Sequence, residues 1–167
     1  LFGGEVYGVN PRASNANISL YNSNDTWEWD GQLWVRRNPA NRPPPLTQFG
    51  ITYDSDRGRV VVFGGYKTFP PNYSSGTAQI NNDVWEWDGA AWASRTPPSD
   101  LRVMETRQSR YAFYDPVRRR VGLPIVSNNL SPSVAPSLTT VLWWDGTRFL
   151  RGNSSTLDDI AGTVITD

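Results

Sequence analysis

The chain has 167 residues with 16 basic and 16 acidic side chains, so its formal net charge is zero and no global field draws it to nucleic acid or an anionic membrane. It contains neither cysteine nor histidine, which excludes disulfides, thiolate zinc sites, cysteine nucleophiles and histidine as base or metal ligand. No apolar run approaches the roughly 18 residues of a membrane span, and the opening LFGGEVYG lacks the pattern of a signal peptide. A soluble protein, cytoplasmic or secreted, is expected. The absence of an initiator methionine places the expected start upstream, in a tag or a longer parent chain.

In chain order, LFGG at 1–4 reads as the tail of a strand ending in a double glycine. TWEWD at 26–30 alternates apolar and polar residues, which puts Trp27 and Trp29 on one face of a strand. Asp30-Gly31 then predicts a tight hairpin returning through QLWV. QFGITYD at 48–54 and RVVVFGG at 59–65 predict a second hairpin, whose valines are buried and whose glycines permit close approach of neighbours. NDVWEWD at 82–88 and AAWASR at 90–95 repeat the first hairpin, and YDPVRRRVGLPIV at 114–126 repeats the second. Here Pro124, Ile125 and Val126 replace Phe-Gly-Gly, and the proline predicts an irregular strand. LWWDGTRF at 142–149 is the third tryptophan phrase, with Trp143 where the others have glutamate. Trp29, Trp87 and Trp144 recur 58 and 57 residues apart, each followed by Asp-Gly and then an aromatic: Trp34, Trp92, Phe149. IAGTVITD at 160–167, aligned on its final aspartate, falls where TQFGITYD and QSRYAFYD fall and predicts one more strand.

The phrase YD…RGRVVVFGG…NNDVWEWDG…W resembles the bacterial form of the kelch family of β-propellers, over nearly the whole chain. The resemblance implies an all-β fold of four-stranded antiparallel blades, strands a to d, three blades per chain. Residues 1–42 would hold strands b, c and d of blade 1, residues 43–103 blade 2, residues 104–157 blade 3, and 158–167 a lone strand a. Trp27, Trp29, Trp85, Trp87 and Trp144 are expected in the core between blades. Three blades are too few to close a ring. A head-to-tail homodimer is therefore expected, residues 158–167 of each chain completing the partner's first blade in a six-bladed ring. The termination inside a hairpin at both ends reads as a fragment of a larger propeller that assembles.

For function, the resemblance implies a channel mouth at the start of strand a, where Gln48, Arg107 and Arg110 fall. The carboxylates Glu105, Asp158 and Asp159 accumulate there, and two readings stand: a calcium ion held by oxygen ligands, or surface ion pairs with Arg107 and Arg110. The long polar b-to-c connections at 5–23, 66–81 and 127–138 are candidate recognition loops. The expected role is a binding module for a protein or small-molecule ligand. The alternative is a calcium-dependent hydrolase of phosphotriesters, esters or lactones, by analogy of fold alone.

Overall fold

The computed structural model describes residues 1–9, 18–67, 79–81, 83–95, 111–127 and 137–151. Within them the regular elements are all β-strands. In chain order they are β1 (Glu5–Val9), β2 (Ile18–Asn22), β3 (Thr26–Trp29), β4 (Trp34–Arg37), β5 (Leu46–Thr47), β6 (Gly50–Asp54), β7 (Arg59–Phe63) and β8 (Tyr66–Lys67). They continue with β9 (Gln79–Ile80), β10 (Val84–Trp87), β11 (Trp92–Ser94), β12 (Phe113–Asp115), β13 (Arg120–Ser127), β14 (Ser137–Trp144) and β15 (Phe149–Arg151). Every strand pairing is antiparallel. Among the described residues no helix is long and apolar enough to cross a membrane.

Two sheets are four-stranded meanders in sequence order, β6-β7-β10-β11 and β12-β13-β14-β15, termed here the second and third sheets. The first sheet is the β3-β4 hairpin with residues 1–4 on its other edge. Phe2 bridges Thr26, Leu1 O accepts from Trp27 N at 2.8 Å, and Gly3 N donates to Asp25 O at 3.0 Å. Ser23 N donates to Gly4 O at 2.8 Å, and Asn81 N donates to Gly65 O at the same distance, so both double glycines leave their strands in the same way. Gly65 requires its lack of a side chain. Its φ is +81°, and a Cβ there would stand 2.6 Å from Thr47 O.

Three sequence expectations change in detail. The stretches read as loops begin and end as paired strands: β1 with β2, β8 with β9 and β5, and the far halves of β13 and β14. Their tips at 10–17, 68–78 and 128–136 lie outside the described residues. The Asp-Gly turn is a four-residue connection in which only glycine takes positive φ, at +104°, +94° and +100° for Gly31, Gly89 and Gly146. The aspartate instead accepts hydrogen bonds from the connection: Asp30 Oδ1 from the N–H of Gln32 and Leu33 at 2.8 Å each, Asp88 from Ala90 and Ala91, Asp145 from Thr147 and Arg148. The strand holding Pro124 stays continuous, with its register shift one residue later, between Ile125 and Val126.

Strand alternation distributes the core. On β7, Val61 and Phe63 face the third sheet, while Val60 and Val62 face the first. Between the first and second sheets lie Phe2, Leu46, Val62, Trp85, Trp87 and Trp92; between the second and third lie Val61, Phe63, Val84, Leu142, Trp144 and Phe149, among others. The two interfaces repeat in geometry. Phe2 meets Trp92 edge-on at 5.0 Å as Phe63 meets Phe149 at 5.3 Å, and Trp87 leans on Trp92 at 5.5 Å as Trp144 leans on Phe149 at 4.9 Å.

Candidate interaction site

At each interface a tryptophan of one sheet donates to a glutamate of the sheet before it. Trp87 Nε1 reaches Glu28 Oε1 at 2.8 Å, and Trp144 Nε1 reaches Glu86 Oε1 at 2.9 Å. These glutamates are the polar positions of the Trp-Glu-Trp phrase, and they turn away from their own tryptophans because side chains alternate along a strand. Burial favours such an acceptor for an indole N–H, although Trp85 Nε1, in the first of these interfaces, is buried without one among the described residues. Glu86 is held by three cationic or polar groups: Trp144, Arg57 Nη1 at 2.6 Å and Arg95 Nε at 3.3 Å. Arg57 also binds Asp54 at 2.7 Å, which ties the β6–β7 turn to the glutamate. Burial pushes the Glu28 carboxyl up, but the Trp87 indole and Arg37, at 2.6 Å, outweigh it and hold it below the ordinary value.

A second contact varies in step with its partner. At the first interface Trp92 Nε1 donates to Thr26 Oγ1 at 2.8 Å. At the second interface the corresponding pair is Phe149 and Val84, both buried in one apolar cluster. Indole meets hydroxyl, phenyl meets isopropyl, and no polar atom is stranded in either place.

The first sheet presents the same kind of face with nothing on it. Trp29 and Trp34 occupy the positions of Trp87 and Trp92, yet they are 53% and 54% exposed against 5% and 3%. Their rings touch at 5.7 Å as the buried pairs do. Within the single chain Trp29 is thus exposed and Trp27 half-buried, whereas Trp85, Trp87 and Trp144 are buried. The reason is positional, since among the described residues no sheet lies on that side. Beside it, an open cleft of about 420 Å³ is lined by Trp29, Trp34, Ile51, Val60 and Trp87, among others. Ile51 and Tyr53 are exposed, whereas Ala112 and Tyr114, their counterparts on the third sheet, pack against the core.

On the third sheet Trp143 stands where Glu28 and Glu86 stand. Its ring meets Phe113 edge-on at 5.7 Å and carries the Arg118 guanidinium at 5.2 Å. Arg118, counterpart of Arg57, keeps the aspartate contact, to Asp115 at 2.8 Å, and exchanges a carboxylate for an aromatic face.

The channel-mouth residues proposed from sequence are not brought together in the structure's described part. Glu105, Arg107, Arg110, Asp158 and Asp159 lie outside it. Gln48 is described, exposed, at φ +56° between β5 and β6. Among the described residues no group of three or more acidic side chains could hold a metal ion. Sequence reasoning passed over Glu28, Glu86 and Thr26 as acceptors; the signal was their place in a repeated phrase and the replacement at Trp143. No family model, curated protein or solved structure matches the chain.

Proposed function

We propose that the chain is an interaction module built of kelch-type propeller blades, in which the three sheets are three blades and the face of Trp29 and Trp34 receives another blade. The observation that carries this reading is the exposed indole pair, set in the geometry that is buried at both internal interfaces. An apolar face of this kind, rimmed by Arg37 and Asp30, marks an association surface. The double glycines, the Trp-Glu-Trp phrase and the four-stranded meanders support the kelch resemblance.

A second copy of the chain serves as the probe blade. In sedimentation over a rising concentration series the chain self-associates reversibly, and Trp29→Ala with Trp34→Ala stays monomeric with an unchanged far-ultraviolet spectrum. Association that is indifferent to both substitutions would overturn the reading.

A further inference from the structure

The outer sides of the first and third sheets differ in what covers them. On the third sheet Val141 and Trp143 are buried, and the Trp143 ring is met edge-on by Phe113 and lies under the Arg118 guanidinium at 5.2 Å. That side presents no vacant face to the first sheet of a second copy. The exposed indole pair is on the first sheet, whose register lays out the rest of the face. Trp29 stands opposite Trp34 and Trp27 opposite Arg36, and the side chains of cross-strand partners share a face. The indole pair therefore occupies the turn end of the hairpin, beside the exposed Asp30, and Arg36 occupies the open end, exposed and bound to Asp25 at 2.6 Å.

We infer that the open face pairs with the same face of a second copy, about a two-fold axis that lies between the faces and runs across the strands, so that each Arg36 covers the partner's indole pair. The inference rests on the proposed reading of the face as a docking surface and adds the partner, its surface and its orientation. Along a strand Trp27 and Trp29 are about 7 Å apart. A half-turn about that axis exchanges the two ends of the hairpin, so the guanidinium of one chain meets the indoles and the Asp30 carboxylate of the other, twice. A guanidinium on an indole ring is a contact the chain already makes at Arg118 and Trp143. An axis along the strands would instead set turn on turn, with Asp30 against Asp30 and Arg36 against Arg36, and like charges oppose that arrangement. The two half-exposed indoles, with Leu33, Arg36 and the half-buried Trp27, offer roughly 500 Å² from each copy, or about 1,000 Å² in all, the low end for a specific contact. The dimer is thus reversible, with a dissociation constant on the order of micromolar, and it is closed, because each copy has spent its open face.

The chain contains no cysteine, so single introduced cysteines report the orientation. Gln32→Cys marks the turn end and Asn38→Cys the open end, both at exposed positions. A mixture of the two variants is expected to give the mixed dimer with a short bis-maleimide, much faster than either variant crosslinks to itself. Sedimentation equilibrium of the parent chain should stop at the dimer. Arg36→Glu should weaken association about tenfold or more, and Arg36→Lys should retain most of it, both with an unchanged far-ultraviolet spectrum. Rapid crosslinking of Gln32→Cys to itself, a series that continues past the dimer, or association indifferent to Arg36→Glu would overturn the inference. Each of these leaves the docking reading intact where Trp29→Ala with Trp34→Ala still abolishes association. A parent chain that stays monomeric far above the micromolar range overturns both, so the two failures are distinguishable.

Discussion

The indole of Trp144 donates to the carboxylate of Glu86 across the boundary between the second and third sheets, at 2.9 Å, and both groups are buried. The bond joins residues that are 58 apart in sequence and belong to the same repeated phrase. It makes the glutamate between two tryptophans a part of the neighbouring sheet's core. Removing it from either end should have unequal consequences. Trp144→Phe keeps most of the packing and leaves Glu86 paired with Arg57 and Arg95, costing about 1–2 kcal/mol. Glu86→Ala leaves the buried indole N–H and the partly buried Arg57 short of an acceptor and should cost about 3 kcal/mol or more. Urea unfolding of the two variants checks the order.

The contact between Trp92 and Thr26 gives a sharper test, because the chain contains its own apolar replacement in Phe149 and Val84. Thr26→Val alone strands a buried N–H and should cost about 1–3 kcal/mol. In a Trp92→Phe background the same substitution should cost close to nothing. A double-mutant cycle from denaturation midpoints reads the coupling directly, and strict additivity would contradict the account.

Acid stability follows in part from Asp145, Asp115 and Glu28, three of the five described carboxyls held below their ordinary values. Partial burial alone would raise Asp145, but the Thr147 hydroxyl at 2.7 Å and the N–H groups of Thr147 and Arg148 override it and hold it at about 2, below its ordinary 3.8. Burial likewise raises Asp115 and Glu28, and the N–H and guanidinium of Arg118 in one case, and Trp87 with Arg37 in the other, bring them below the ordinary range. A carboxyl depressed in the folded state contributes stability above its unfolded pKa and loses it as pH falls through the folded value. Unfolding followed by tryptophan fluorescence should therefore set in as pH drops from about 4 towards 2. Asp145→Asn, which keeps an acceptor oxygen for the turn, should flatten the lower part of that transition.

Two glycines of positive φ separate backbone strain from steric clash. Gly31→Ala meets open space at φ +104° and should cost only the conformational strain, about 1 kcal/mol. Gly65→Ala adds a Cβ 2.6 Å from Thr47 O and 2.9 Å from Phe49 Cβ, so the β5–β8 pairing must shift; about 3 kcal/mol or more is expected. Thermal unfolding should place the two variants well apart, with Gly65→Ala the less stable.

The strands of the Trp-Glu-Trp hairpins and of the two valine-bearing hairpins, with their two-sided character, were legible in the sequence, because a period of two is a local property of the backbone; the short strands β1, β2, β5, β8 and β9 were not, because they lack that alternation. Val60 to Phe63 and the Trp-Glu-Trp phrase announce which side chains share a face before any neighbour is known. The repeat likewise announced that one kind of interface occurs more than once. What only the tertiary structure decided is what covers each face. Trp29 and Trp87 sit in nearly identical sequence, WEWDG, and one is exposed while the other is buried, since burial belongs to the adjoining sheet and not to the strand. The same holds for Glu86, whose partners Trp144, Arg57 and Arg95 come from a neighbouring sheet, a turn and an adjacent strand. A linear pattern states which way a side chain points; the acceptor it meets there depends on how the sheets stack.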